Sequence, residues 1–118
     1  MKISKIVSLL NARIHAGEDL VDCEVHTACG SDMMSDVLAF VKDQAVLLSG
    51  LVNTQVIRTA DMMDMRCVVL VRSKTPTPDM IALAEESGIA LLSTDIRMYD
   101  ACGILYVNGL GGAQISKA

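Results

Sequence analysis

Three short segments of this chain, Ala45 to Leu48, Cys67 to Val71 and Ile89 to Leu92, are apolar at every position. A strand with one face in water alternates apolar and polar residues, so unbroken runs bounded by turn residues point to strands buried on both faces. Helical patterns of about ten residues separate them. Asn53 or Thr54 can cap a helix carrying Val56, Ile57, Ala60 and Met63 on one face, and TPTPD starts another through Met80, Ile81, Leu83 and Ala84 that stops at Gly88. Such strands, alternating with helices, imply a parallel sheet covered by helices.

The rest of the chain extends this pattern. Ile3, Ile6, Val7 and Leu10 share one face of a first helix, and Arg13-Ile14-His15 reads as a brief strand ending at Gly17. A second strand is predicted over Asp22 to Ala28. Ser31 and Asp32 sit at an N-cap position before Met33, Met34, Val37, Leu38 and Val41, and Ser93-Thr94-Asp95 opens a last helix bearing Ile96, Met98, Tyr99, Cys102 and Leu105. The expected architecture is a three-layer α/β sandwich, with a mostly parallel sheet of about five strands covered by helices. Residues 1–110 form a single domain and 111–118 a C-terminal tail.

An apolar fraction of 52% in 118 residues raises the question of a membrane span. The longest charge-free run, between Asp100 and Lys117, has sixteen residues that include four glycines and Asn108. A spanning helix needs about 18 or more mainly apolar residues, so no span is expected. Lys5, Arg13 and His15 interrupt the start where a signal peptide would be apolar. Cytoplasmic residence is the expectation, with the four cysteines as reduced thiols packed like small hydrophobes. The net charge is −4 and the ten basic residues are scattered along the chain, which argues against a nucleic-acid surface.

Cys23, His26 and Cys29 are all ligand types within seven residues. On the predicted strand the two thiols face one way and the imidazole the other, with the thiols roughly 20 Å apart, whereas zinc ligands lie about 2.0–2.3 Å from one ion. Neither a metal nor a cofactor is expected. His15 and His26 neighbour no nucleophile motif such as G-x-S-x-G, although distant residues could meet in space. Asp32 and Asp36 would fall on one helical face, a spacing that could ligate a metal or share a proton; a cap and a solvated residue is the plainer account. Neither phosphate-loop pattern, G-x-x-x-x-G-K-[ST] or G-x-G-x-x-G opening a helix, occurs.

Three strand-to-helix junctions remain. In open α/β sheets, ligands bind beyond the carboxyl ends of the strands, where N–H groups of the following helices point outward. The candidate contacts there are Ser31, Asp32, Ser49, Gly50, Asn53, Thr54, Ser93 and Thr94. The plainer alternative for each is a helix cap worth about 1 kcal/mol.

The early helix followed by RIHAGE, the stretch SDMMSDVLAFV, the unit LLSGLVNTQVIRTADMMDMRCVVLVR and the closing PTPDMIALAEESGIALLSTDIRMYDACGILYVNGL occur in an order that resembles the DRTGG-domain family. The likeness is to its stand-alone members and to the N-terminal domain of HPr kinase/phosphorylase. No DRTGG string occurs; the matching regions read SGLVNTQVIRTA and LVRSKTP. The resemblance implies a dimerising or regulatory unit attached to different partners, including certain pyrophosphatases with nucleotide-binding regulatory modules. It implies no kinase activity, which in the HPr enzyme belongs to a separate domain with a phosphate-binding loop.

The leading expectation is a non-catalytic homodimer that senses a small anionic ligand, a nucleotide or phosphate, at the junctions or docks onto an enzyme. Met33, Met34, Met62, Met63 and Met65 would suit a contact surface, or ordinary core packing. The alternatives are a pure interaction module, or a metal-dependent phosphate-ester enzyme using Asp32 and Asp36.

Overall fold

A computed structural model describes residues 1–40 and 45–111. The chain runs α1 (Ile3–Leu10), β1 (Arg13–Ala16), a 3₁₀ turn (Glu18–Leu20), β2 (Thr27–Gly30) and α2 (Met34–Phe40). It continues through β3 (Ala45–Ser49), α3 (Thr54–Met62), β4 (Cys67–Leu70), α4 (Pro78–Ser87), β5 (Ala90–Ser93) and α5 (Met98–Val107). The strands form one sheet in the order β1-β5-β4-β3-β2, parallel from β2 to β5 with β1 antiparallel at the edge. The expected three-layer, mostly parallel α/β sandwich is the fold observed.

The apolar runs explain the layering. Every residue of β3, β4 and β5 is buried, and alternation sends successive side chains into separate cores. Ala45, Leu47, Val68, Leu70 and Leu91 meet Met34, Val37, Val56, Ile57, Ala60, Met80 and Ala84 of α2, α3 and α4. Val46, Leu48, Cys67, Val69, Ala90 and Leu92 meet Ile3, Ile6, Leu10, Ala101 and Leu105 of α1 and α5. Each fully buried Leu or Ile contributes roughly 1.5–3 kcal/mol. Consecutive parallel strands joined by helices on one face follow from crossovers of a single hand.

Several elements differ from the sequence expectation. The second strand is Thr27–Gly30 rather than Asp22 to Ala28, because the parallel ladder pairs Thr27 to Gly30 with Ala45 to Leu48. Upstream, Glu24 makes only an isolated bridge to Lys2. The last helix begins at Met98, and Tyr99 projects into solvent rather than into the core. In α2, Met34 and Val37 are buried while Met33 and Leu38 are exposed, and Val41 lies outside the described residues. Of the methionines considered as a contact surface, Met33 and Met62 are exposed while Met34 and Met65 are buried. Leu110 is still in the core and the Gly111 carbonyl accepts from Ala28 N at 3.0 Å; the tail from 112 to 118 lies outside the described residues.

Gly17 has a structural task. Its φ is +78°, and a Cβ there would stand 2.7 Å from the Ala90 Cα, a backbone atom that cannot yield without shifting β5. Gly17→Ala is therefore expected to cost about 2–4 kcal/mol in urea unfolding, from left-handed strain and overpacking together.

Candidate functional site

The connection leaving β4 leads to α4 on the face shared with α2 and α3, whereas the connection leaving β5 leads to α5 on the opposite face. Adjacent parallel strands whose connections diverge to opposite faces open a crevice at their carboxyl ends, the usual ligand position in such sheets. Here that crevice has a volume of about 630 Å³ and is lined by Arg72, Ser73, Lys74, Asp95 and Arg97. Antiparallel β1 brings its first residue to the same edge, where Arg13 pairs with Ser93. A smaller hollow of about 130 Å³ beside it is lined by Asn11, Ala12, Arg13, Ser93, Thr94 and Asp95.

The crevice wall is built on unusual backbone. Arg72 and Ser73 have φ values of +61° and +60°, a region that side-chain-bearing residues enter at a cost of about 1 kcal/mol or more each. Cross-links to the β5 loop hold them there: Arg72 N donates to Ile96 O at 2.9 Å, Ser73 N to Thr94 O at 3.0 Å, and Ser73 Oγ to Asp95 Oδ1 at 3.0 Å. The Arg72 guanidinium consequently lies over Gly50, where an added Cβ would be 2.5 Å from its Nη2. The N-terminus of α5 faces this loop with Arg97 at the N-cap and no capping side chain.

Asp32, just past the end of β2 at the far edge of the sheet, reaches across β3 to join this edge. Its Oδ1 accepts from Gly50 N at 2.6 Å and Ser49 Oγ at 3.0 Å, and its Oδ2 lies 4.0 Å from Arg72 Nη2. Asp32 is thus bonded to the β3 edge rather than to the start of α2, and Asp36 lies in the first turn of that helix. The structure therefore brings together Asp32, Ser49 and Gly50 among the residues singled out from sequence. Ser31 Oγ accepts from Met33 N at 3.0 Å, Asn53 Oδ1 caps α3 from Gln55 N at 2.8 Å, and Thr54 is that helix's first residue.

Ser93 and Thr94 are buried, at 7% and 4% exposure, and turn away from the crevice. Thr94 Oγ1 donates to Leu10 O at 2.7 Å and accepts from Ile96 N at 3.3 Å, tying the end of α1 to the β5 loop. Ser93 Oγ lies 2.7 Å from His15 Nε2. The pairing passes from Ile14 opposite Leu92 to Ala16 opposite Leu91, which makes His15 the extra residue of a β-bulge and re-aims its ring. Residues 78 positions apart thus meet as a base and a hydroxyl, which sequence motifs did not foreshadow. Burial first, and then the nearby Arg13 charge, lower the His15 pKa.

Cys23 lies exposed in a turn and Cys29 half-buried on β2. Among the described residues no group of three metal-ligating side chains converges. Burial raises the pKa values of Cys29, Cys67 and Cys102, which disfavours their reactive thiolates. Sequence reasoning missed Arg13, Arg72, Lys74 and Arg97: the basic residues are dispersed in sequence, and the sheet gathers four of them at one edge. The available signal was VRSK and STDIR, each directly after a buried run.

Two outcomes are expected. Arg72→Gly relieves the left-handed strain and loses only a long surface ion pair, so it should keep or raise stability by about 1 kcal/mol in thermal unfolding. Because the folded His15 resists protonation, the unfolded chain binds more protons below about pH 6.5, the ordinary histidine value. Stability should fall as pH drops through that value toward the lowered folded one, and His15→Gln should flatten this dependence in denaturant titrations.

No protein-family model matches this sequence, and no curated protein matches it. Among solved structures the chain is similar to the CBS and DRTGG domains of the regulatory region of Clostridium perfringens pyrophosphatase, a crystal structure complexed with its activator, diadenosine tetraphosphate. The TM-score is 0.70 and the identity 14%, over 88% of this chain and 45% of that one, so the chain spans under half of that protein's length. At this identity the likeness establishes the fold alone: the two share an α/β architecture.

Proposed function

We propose that this chain is a non-catalytic regulatory module that senses a small anionic ligand, a nucleotide or phosphate, at the carboxyl edge of its parallel sheet. The observation that carries the reading is the gathering of Arg13, Arg72, Lys74 and Arg97 at that edge in a chain of net charge −4. Local positive charge set against the overall sign is what a phosphate-bearing ligand needs, and guanidinium groups supply it in a planar, multidentate form. The similar regulatory region was solved with a nucleotide activator, and that chemistry suits this crevice. Ser31, Gly50, Asn53 and Thr54 extend the rim, while Ser49, Ser93 and Thr94 support it from beneath.

The edge offers cations and N–H donors rather than an assembled nucleophile. Ser93 is only 7% exposed, in the wall of the smaller hollow, and among the described residues no carboxylate hydrogen-bonds the other nitrogen of His15. Asp32, a candidate general base or metal ligand of an enzyme reading, is engaged by Ser49 and Gly50. Among the described residues no helix is long and apolar enough to cross a membrane; a cytoplasmic setting, with the thiols reduced, completes the reading.

The module works as a homodimer, or docked on a partner enzyme, through α5. Apart from Asp100, α5 is apolar or aromatic around most of its circumference, as suits a helix between two packed surfaces, yet only Ala101 and Leu105 are buried, while Tyr99, Tyr106 and Val107 are exposed. Its outer face is a shallow, largely apolar surface that includes Tyr99, Ile104, Tyr106 and Val107. Attachment to a larger enzyme, as the likeness to HPr kinase/phosphorylase suggests, would use this same face.

In thermal unfolding at low salt with chelator present, millimolar ATP or pyrophosphate should raise the Tm by several degrees, and 0.5 M salt should erase the gain. A flat response to every phosphate compound would contradict the sensing role. Light scattering at micromolar concentration should give twice the chain mass, and Val107→Glu should give one chain; a wild-type monomer removes the homodimer.

A further inference from the structure

We infer that Asp32 is a built-in competitor for the crevice: it shares Arg72 with an oligophosphate ligand, and binding transfers the guanidinium from the carboxylate to the phosphates. The inference rests on the sensing role proposed above and adds the class of ligand and the residue that sets its affinity.

The two oxygens of Asp32 have different surroundings. Oδ1 is fixed by Gly50 N at 2.6 Å and Ser49 Oγ at 3.0 Å, so the carboxylate cannot swing away from the β3 edge. Oδ2 faces Arg72 Nη2 at 4.0 Å, well beyond the roughly 2.7–2.9 Å of a charge-assisted hydrogen bond. Attraction at that separation is Coulombic only, and with both side chains about half exposed, at 50% and 52%, it is weak. Arg72 is held near Asp32 loosely, by a partner that is itself held firmly.

The route between the two positions is open. Arg72 passes over Gly50, the one residue type that leaves room for the guanidinium there. Its backbone is locked by the bonds of Arg72 and Ser73 to the β5 loop, so the side chain can move while the wall of the crevice stays in place. The other carboxylate of the crevice, Asp95, is engaged by Ser73 Oγ at 3.0 Å. This leaves Lys74 and Arg97 facing the same space as Arg72.

The charge balance selects the ligand class. Three cations set against one engaged carboxylate around about 630 Å³ suit a chain of two or more phosphates, whose several charges can be met by separate side chains. A monoanion offers Arg72 no more charge than Asp32 does. An oligophosphate offers two or more, and wins the guanidinium.

The test is titration calorimetry of the full chain with pyrophosphate at about 50 mM salt, with orthophosphate as the control. Asp32→Asn keeps the Oδ1 acceptor for Gly50 and Ser49 and removes the competing charge, so it should bind pyrophosphate about two- to fivefold more tightly. Arg72→Gln should weaken binding about tenfold or more, and adding D32N to R72Q should restore little, since the two act through one contact. Gly50→Ala, whose Cβ displaces the guanidinium from the β3 edge, should reproduce the gain of D32N and serves if that variant folds poorly. If pyrophosphate binds the wild type but D32N and G50A leave its affinity unchanged or lower it, the competitor role is overturned while the sensing role stands. A D32N gain that persists in full on the R72Q background also overturns it. Orthophosphate binding as tightly as pyrophosphate overturns the ligand class. Absence of pyrophosphate binding in the wild type and D32N alike removes the sensing role and this inference together.

Discussion

Burial of β3, β4 and β5 on both faces is the constraint from which the rest of this structure follows. Fifteen-odd ångströms of apolar strand cannot be left facing water on either side, so helices must cover both. Three are supplied by the crossovers on one face, and α1 and α5 close the other. Because α5 must leave β5 toward the face that α4 does not occupy, the β4 and β5 loops part. The crevice is therefore a by-product of covering the sheet, and what distinguishes this chain is the set of side chains placed on its walls.

Those walls combine strain with tight anchoring. Arg72 and Ser73 occupy left-handed backbone with no glycine to ease it, and each is secured by hydrogen bonds to the β5 loop. Thr94 in turn ties that loop to the end of α1. Strain of this kind persists only where surrounding bonds over-determine the conformation, and it commonly marks a position where side-chain aim matters more than stability. The result is a tightly anchored frame from which the Arg72 side chain reaches over Gly50 toward Asp32, beside an open basic crevice.

Much of the fold could be read from residue pattern, and the errors have physical causes. Ala45 to Leu48, Cys67 to Val71 and Ile89 to Leu92 fell within a residue or so of the observed strands, and Ile3–Leu10 matched α1, because double burial and a clean helical face are strong local signals. The Asp22 to Ala28 strand was misplaced because local alternation cannot reveal pairing with β3, which sets where a parallel edge strand runs. The start of α5 was placed too early because Thr94, a good cap by type, is engaged by the Leu10 carbonyl. At the candidate site, the junction residues were visible but their partners were not. Residue type makes Asp32 a helix cap or a ligand contact, and neither reading reveals its bond to Gly50; Arg72 and Arg97 come together only because Leu70 pairs with Ser93. His15 reaches Ser93 through a bulge that no residue type announces.

The central claim is that anions are held where the β4 and β5 loops part. Backbone amide chemical shifts of the isotopically labelled chain, followed by NMR during a pyrophosphate titration, test it most directly. The account predicts saturable shifts concentrated at Arg72, Ser73 and Lys74 and at Asp95 and Arg97, with a smaller response at Gly50. Shifts confined to the outer face of α5 from Tyr99 to Val107, or spread evenly without saturation, would contradict it.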